Sequence, residues 1–171
     1  DTEEDDEIGM GCAGGIDVTA RREYTQEKTS DNVTALTITI NGLNGGHSGM
    51  DIHKGLGNAN KLMNRVLYDG MENFDLRIHE INGGSLRNAI PRESNATVVI
   101  NTISKEPFFF EMNELITDIK AEYKSLEPNL AITITATEIP NLVMEYGAQE
   151  GFIKSIHAAL NGVYRMSPDI D

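Results

Sequence analysis

Residues 33–41 read VTALTITIN, and this stretch decides the fold class of the chain. Its leucine and isoleucines alternate with threonines, the period of two that is typical of a strand with one buried face. Residues 51–68 instead repeat their apolar side chains at helical spacing, with Asp51 placed to cap the helix and Gly70 to end it. The sequence therefore predicts a half-buried strand, a loop and then an amphipathic helix.

Further strands and a second helix follow in a regular order. Alternating apolar residues predict strands near residues 74–78, 97–103 and 130–136. An amphipathic helix begins near Pro107 and ends before Pro128. Its apolar stripe consists of Phe109, Met112, Ile116, Ile119, Tyr123 and Leu126. The order strand, helix, strand, strand, helix, strand predicts an α+β, ferredoxin-like βαββαβ domain, an antiparallel four-stranded sheet with helices on one face.

Flanking strand and helix segments extend this domain, which we place at residues 29–139. The first 28 residues are acidic and then strand-like, with apolar side chains at Ile8, Met10, Cys12, Ile16 and Val18. Residues 140–171 carry one more helix, predicted over residues 152–160, and a tail.

Composition excludes several classes of partner. The 171 residues suit one domain, and a net charge of −13 repels nucleic acid and anionic membrane surfaces. One cysteine, Cys12, excludes an intrachain disulfide and favours a cytoplasmic location. The sequence contains neither an apolar run long enough to span a membrane nor a signal peptide.

The loop after the first strand holds the strongest functional candidate. Residues 43–57 read LNGGHSGMDIHKGLG, in which His47 stands among glycines that offer no side chains for a core to pack around it. An exposed imidazole of this kind can donate a hydrogen bond to a developing negative charge. His53 could form a metal pair with His47, but the spacing matches no familiar ligand set. His79 and His157 are interpreted as structural or merely exposed.

Three motifs together resemble the lid domain of the zinc aminoacylase and dipeptidase family, most closely its bacterial members that cleave aminoacyl-histidine (Xaa-His) dipeptides. They are GGHSG at residues 45–49 with HKGLGNANKL at 53–62, NGGSLRNAIPRE at 82–93, and DTEE at 1–4 leading into GCAGG at 11–15. The resemblance implies a cytoplasmic, two-domain metallo-dipeptidase with two zinc ions and a dipeptide substrate. It also implies a homodimer formed through the lid.

The resemblance assigns roles to three residues. His47 would be catalytic, reaching an active site, often the partner's, to stabilise the tetrahedral oxyanion formed when the peptide carbonyl is attacked. Asn88 would hydrogen-bond the substrate, although an asparagine before Ala-Ile-Pro can also cap a turn. Asp1 matches a metal-ligating aspartate of the family. Residues 1–28 would then be the end of a catalytic-domain half and a connector.

The family's other metal ligands and its general base are absent from the sequence. The His-x-Asp segment, the bridging aspartate, the Glu-Glu pair and the late histidine have no counterparts. A catalytic zinc ion needs about three protein ligands, so one carboxylate cannot hold it. We therefore expect a lid-centred piece of the enzyme that is inactive alone and does not bind zinc stably.

An alternative is a stand-alone ferredoxin-like small-molecule-binding or regulatory module, for instance an amino-acid sensor. Fold alone supports both interpretations. A sensor has no reason to expose a glycine-framed imidazole, and the His47 and Asn88 motifs therefore favour the enzyme. The threonine-rich strand at 33–41 is expected to lie at an edge of the sheet, where it could pair with a second copy.

Overall fold

The computed structural model of the chain describes residues 8, 14–166 and 168. The strands of this part are β1 (Gln26–Lys28), β2 (Val33–Asn41), β3 (Gly46–His47), β4 (Arg77–Gly83), β5 (Ala89–Ile90), β6 (Ser94–Asn101), β7 (Ala131–Ala136) and β8 (Leu142–Met144). Its α-helices are α1 (Ala59–Phe74), α2 (Lys105–Tyr123) and α3 (Tyr146–Ala158). Within this part, no helix has the length and apolar character needed to cross a bilayer.

Four of the strands form an antiparallel sheet in the order β4, β6, β2, β7. Helix α1 connects β2 to β4, and α2 connects β6 to β7. Alternate residues of β2 face these helices, and Leu36, Ile38 and Ile40 are completely buried in one core with side chains of both helices. Burial of each such side chain contributes about 1.5–3 kcal/mol. The predicted α+β class and four-stranded antiparallel sheet are confirmed.

The expectation that β2 lies at an edge is wrong. It is hydrogen-bonded to β6 on one side and to β7 on the other. Thr37 and Thr39 lie on the face of the sheet turned away from the helices, opposite in parity to Leu36 and Ile38. An alternating pattern shows which face of a strand is buried, and it does not show how many neighbouring strands it has. The edges are β4 and β7. The buried side chain of Gln149 in α3 covers part of β4, accepting from Ile78 N and donating to Leu76 O at 2.7 Å each.

The first helix differs from its prediction at both ends. It begins at Ala59 and not at Asp51, and the Asn58 side chain caps it by accepting from the backbone amides of Asn60 and Lys61. Gly55, with φ of 70°, interrupts the helical pattern after a single 3-10 turn. Gly70 lies inside the helix, where a Cβ would come within 2.6 Å of the Leu76 side chain. Glycine there permits close packing and is not a stop signal.

The flanking segments also differ from prediction. Ile16 and Val18 are exposed and belong to no strand, while Met10 and Cys12 lie outside the described residues. The strand of this segment is β1, which pairs with β8. Helix α3 begins earlier than expected and packs against α1, where the Lys61 ammonium donates to the carbonyls of Ile156 and Ala159 at 2.7 Å. A cation at a helix C-terminus is favourable because it satisfies free carbonyls and complements the helix dipole.

Two of the histidines interpreted as structural make defined contacts. His79 Nδ1 lies 2.7 Å from the Leu142 carbonyl oxygen in β8. The ring of His157 stacks on Tyr68 with centroids 4.8 Å apart. Both contacts join α3 or β8 to the main domain.

Candidate functional site

The two unusual loops of the sequence lie at the same end of the domain. Strands β2 and β4 end there, and β6, β7 and α1 begin there. The loop at 42–58, called the histidine loop below, follows β2, and the loop at 84–93 follows β4. The Ala59 amide donates to the Pro91 carbonyl at 3.0 Å, so the start of α1 is tied to the second loop.

A short ribbon brings His47 and Asn88 together. Strand β3 pairs with β5 in antiparallel register, placing His47 opposite Ala89. Ser48 N then donates to the Asn88 carbonyl at 2.9 Å. His47 in β3 and Asn88 in the turn just before β5, about forty positions apart in sequence, therefore lie close together.

The His47 ring is oriented by the backbone that follows it. Its Nδ1 accepts hydrogen bonds from the amides of Gly49 and Met50, both at 3.1 Å. A nitrogen that accepts two N–H groups cannot carry a proton itself, so this network assigns the proton of the neutral ring to Nε2. The exposed imidazole is thereby held as an Nε2–H donor.

Asp51 holds the other side of this turn. Its Oδ2 accepts from His47 N at 2.7 Å, and its own amide donates to the His47 carbonyl at 3.0 Å. The Lys54 ammonium nitrogen lies 2.6 Å from Oδ1 of Asp51. The hydrogen bonds from Lys54 and from the His47 amide keep the pKa of the Asp51 carboxyl below its usual value. Asp51 therefore stays ionised at neutral pH and fixes the backbone of His47.

This role of Asp51 was not predicted, because the residue was expected to cap α1, whereas Asn58 does so. The available signal was a carboxylate four residues after a histidine, with glycine between them. This spacing allows the carboxylate to accept from the histidine amide, as the acidic residue of a capping box does, while the imidazole accepts from amides of Gly49 and Met50 between them.

The two glycines before His47 are required because neighbouring side chains approach the backbone closely at these positions. A Cβ on Gly46 would lie 2.9 Å from Oδ2 of Asp51, and Gly45 adopts a φ of 67° with the Arg92 side chain packed over it. Any other residue at these positions would push against the carboxylate or the arginine. The glycine pair thus lets the ribbon and the Asp51 contact form together.

Asn88 lies in an exposed turn at the start of β5. The turn is closed by the backbone, because Ala89 N donates to the Leu86 carbonyl at 3.3 Å. An open cavity of about 570 Å³ lies beside this ribbon, with Asn44, Gly46, Leu86, Ile90 and Arg92 among the residues that line it. Its volume is within the range of small-ligand sites.

The described part of the chain contains no group of side chains that could form a metal site. Among the described residues, no three His, Cys, Asp or Glu side chains come together as possible ligands, so the suggested pair of His47 and His53 has no third partner there. Asp1, the candidate metal ligand, lies outside the described residues. The described side chains therefore do not fit the zinc ions that the resemblance implies.

Comparison with known proteins gives a consistent result. The model of the family described as "Peptidase dimerisation domain" matches residues 38–127. The cytosol non-specific dipeptidase of Escherichia coli (strain K12) is 40% identical over 167 residues, which is 98% of this chain and 34% of that protein. The crystal structure of aminoacylhistidine dipeptidase from Vibrio alginolyticus superposes with a TM-score of 0.84 at 35% identity, covering 88% of this chain and 31% of that one. The chain thus spans about a third of these relatives.

Proposed function

Because the chain belongs to the peptidase dimerisation domain family, we propose that it is the lid of a cytoplasmic, zinc-dependent dipeptidase that cleaves Xaa-His-type dipeptides. Two relatives with similarity over most of the chain are named as dipeptidases, one as cytosol non-specific dipeptidase and the other as aminoacylhistidine dipeptidase. The observation that carries the proposal is the ribbon that places His47, an Nε2–H donor, next to Asn88. The stand-alone module is not favoured, since the similarity to dipeptidases extends well beyond one fold unit.

In this proposal His47 acts on the scissile carbonyl of the substrate. Negative charge develops on the carbonyl oxygen as the peptide is attacked, and the Nε2–H group donates a hydrogen bond to it. The donor is already oriented by Gly49, Met50 and Asp51, so no reorganisation is required as the charge forms. The zinc ions would supply the activated nucleophile, and we place them on residues beyond the described part of the chain.

Asn88 contributes by binding the substrate. Its amide can donate to a substrate carbonyl and accept from a substrate N–H, and both groups are present in every dipeptide. Because these groups exist before the reaction begins, the contact should act on the ground state as well as on the transition state.

We expect Asn88→Ala in the complete enzyme to raise KM roughly 2- to 10-fold, with a smaller fall in kcat, because one neutral hydrogen bond is worth about 0.5–1.5 kcal/mol. Steady-state kinetics on an Xaa-His dipeptide measures both constants. Asn73→Ala is the matched control, since Asn73 is exposed at the far end of α1 and bonds only the Glu111 side chain. An unchanged KM for the Asn88 variant would remove this residue from the substrate site.

The proposal includes a homodimer formed through β7 and α2. Among the described residues β7 pairs only with β2, so its outer edge is open to another strand. Helix α2 connects β6 to β7 and so passes over the same side of the sheet. This helix exposes Phe110, with 68% of the residue accessible. An open strand edge, together with an exposed aromatic side chain on the helix that leads to that strand, suits a two-fold contact between identical chains.

Phe110→Asp should therefore weaken the dimer about tenfold or more, because it places a charge in an apolar contact. Light scattering of the chain over a range of concentrations measures the dissociation constant. Leu160→Asp makes a comparable change at an exposed apolar residue just after α3, a helix that packs against α1 and the opposite edge strand β4, and it should have no effect. A wild-type chain that stays monomeric at high concentration would contradict this part of the proposal.

A further inference from the structure

Glu127 is a buried carboxylate that the mechanism above does not use. It follows α2 in the turn that leads to β7 and is only 2% exposed. Its Oε1 accepts from Gly57 N at 2.8 Å, and its Oε2 accepts from Asn44 N at 2.7 Å. Burying a carboxylate is costly, so its position calls for a role that an apolar side chain could not fill.

The two amides bound by Glu127 lie near the two ends of the histidine loop. Asn44 precedes His47 by three residues, and Gly57 comes just before the residue that caps α1. One side chain from the α2–β7 turn therefore bridges both ends of the segment that carries the imidazole. Asn44 adds a second contact to the same turn, as its Nδ2 donates to the Leu126 carbonyl at 2.7 Å.

The lack of a side chain at Gly57 makes room for its contact with Glu127. A Cβ at Gly57 would lie 3.3 Å from Glu127 Cγ and 2.6 Å from the Leu43 side chain. The absence of a side chain lets the loop backbone approach the carboxylate closely. The histidine loop and the turn after α2 thus fit each other.

We propose that Glu127 is a positioning residue that holds the histidine loop at both ends and so places the His47 donor. This inference rests on the proposed function of His47. Both groups that meet the carboxylate are N–H donors, so both terminal atoms of the side chain must accept. A carboxylate meets this requirement, whereas the amide of glutamine turns one donor toward another donor. Glu127→Gln therefore breaks one of the two contacts while keeping the size of the side chain.

The test compares Glu127→Gln with Glu138→Gln in the complete enzyme. Glu138 is exposed in the segment after β7, at the end of the sheet away from the histidine loop. We expect Glu127→Gln to lower kcat about tenfold or more with KM changed less than about threefold, because a displaced donor affects mainly the transition state. Glu138→Gln should leave both constants unchanged.

A second readout uses the chain itself and needs no activity. Hydrogen exchange followed by NMR should show faster exchange of the Asn44 or Gly57 amide in Glu127→Gln. The ¹⁵N signals of the His47 ring should also move, while amides of β2 keep their protection. A merely structural role would loosen β2 to the same degree and leave the His47 ring signals in place. If the Gln variant melts too low for assay, Glu127→Asp replaces it, because it keeps the charge but is one methylene shorter, and the same changes are expected.

The outcomes separate this inference from the function on which it rests. If His47→Ala leaves kcat intact, the proposed function fails. If His47→Ala lowers kcat but Glu127→Gln changes neither kcat nor the His47 ring signals, only the positioning role is overturned. A fall in kcat together with altered ring signals and an intact β2 would support it.

Discussion

Replacing His47 by alanine in the complete enzyme should lower kcat by about 10²-fold or more while KM changes little. A donor aimed at the developing oxyanion is used mainly in the transition state, and loss of one such donor costs about 10²–10³ in kcat in other enzymes. The hydrogen bonds from Gly49 and Met50 to Nδ1 orient the ring before substrate arrives. The loss should therefore fall on turnover, as measured by steady-state kinetics on an Xaa-His dipeptide.

The same loop provides a control for this experiment. His53 is also exposed but belongs to the 3-10 turn after Asp51, and His53→Ala should retain wild-type kinetics. Thermal melts of both variants should match the wild type, because neither side chain belongs to the core. Wild-type turnover by a folded His47→Ala enzyme would show that the imidazole takes no part in the chemistry.

The position of His47 was predictable, but the way its ring is held was not. Glycines around a histidine indicate an exposed imidazole because no neighbouring side chains can enclose it. The two amide contacts to Nδ1 and the return contact from Asp51 depend on a turn that begins at His47 itself. The predicted helix reached back to Asp51, whereas α1 begins at Ala59, so this turn was not predicted. The spacing of apolar residues does not show where the backbone changes direction. The positive φ of Gly55 interrupts the helical conformation at that residue.

The fold class could be predicted from the spacing of apolar residues along the sequence. The position of each strand in the sheet could not, because it depends on contacts between residues far apart in the sequence. The alternation in β2 gave the buried face correctly, yet β2 lies between β6 and β7 and not at an edge. Glu127 shows the same limit at the site. Its contacts with Asn44 and Gly57 join positions 83 and 70 residues apart, and nothing in the local sequence around Glu127 indicates them.

In helix α2, helical spacing alone could not show which of two neighbouring phenylalanines is buried. Phe108 is four residues before Met112 and Phe109 is three before it, and both separations place side chains on one helix face. The predicted apolar stripe included Phe109 and not Phe108. In the structure Phe108 is fully buried, Phe109 is half-buried against the same core, and Phe110 is exposed.

Alanine substitutions at these three consecutive positions should therefore have graded effects on stability. Phe108 packs edge-on against Phe74 at a centroid distance of 5.4 Å and against Phe109 at 6.0 Å. Phe108→Ala should lower the free energy of unfolding by about 3–5 kcal/mol, through lost burial and the cavity left behind. Phe109→Ala should cost about half as much, and Phe110→Ala should remain within about 0.5 kcal/mol of wild type.

Urea unfolding of the chain measures this gradient, at a concentration low enough to keep it monomeric so that loss of a dimer contact at Phe110 does not enter. Equal m-values across the variants would show that they expose similar surface on unfolding. A larger loss at Phe109 than at Phe108 would mean that α2 is rotated by about one residue, or 100°, from its position here. Such a rotation would also turn Phe110 toward the core and move the turn after α2. The contact of Glu127 with the histidine loop depends on that turn, so the three phenylalanines test the packing on which the placement of His47 rests.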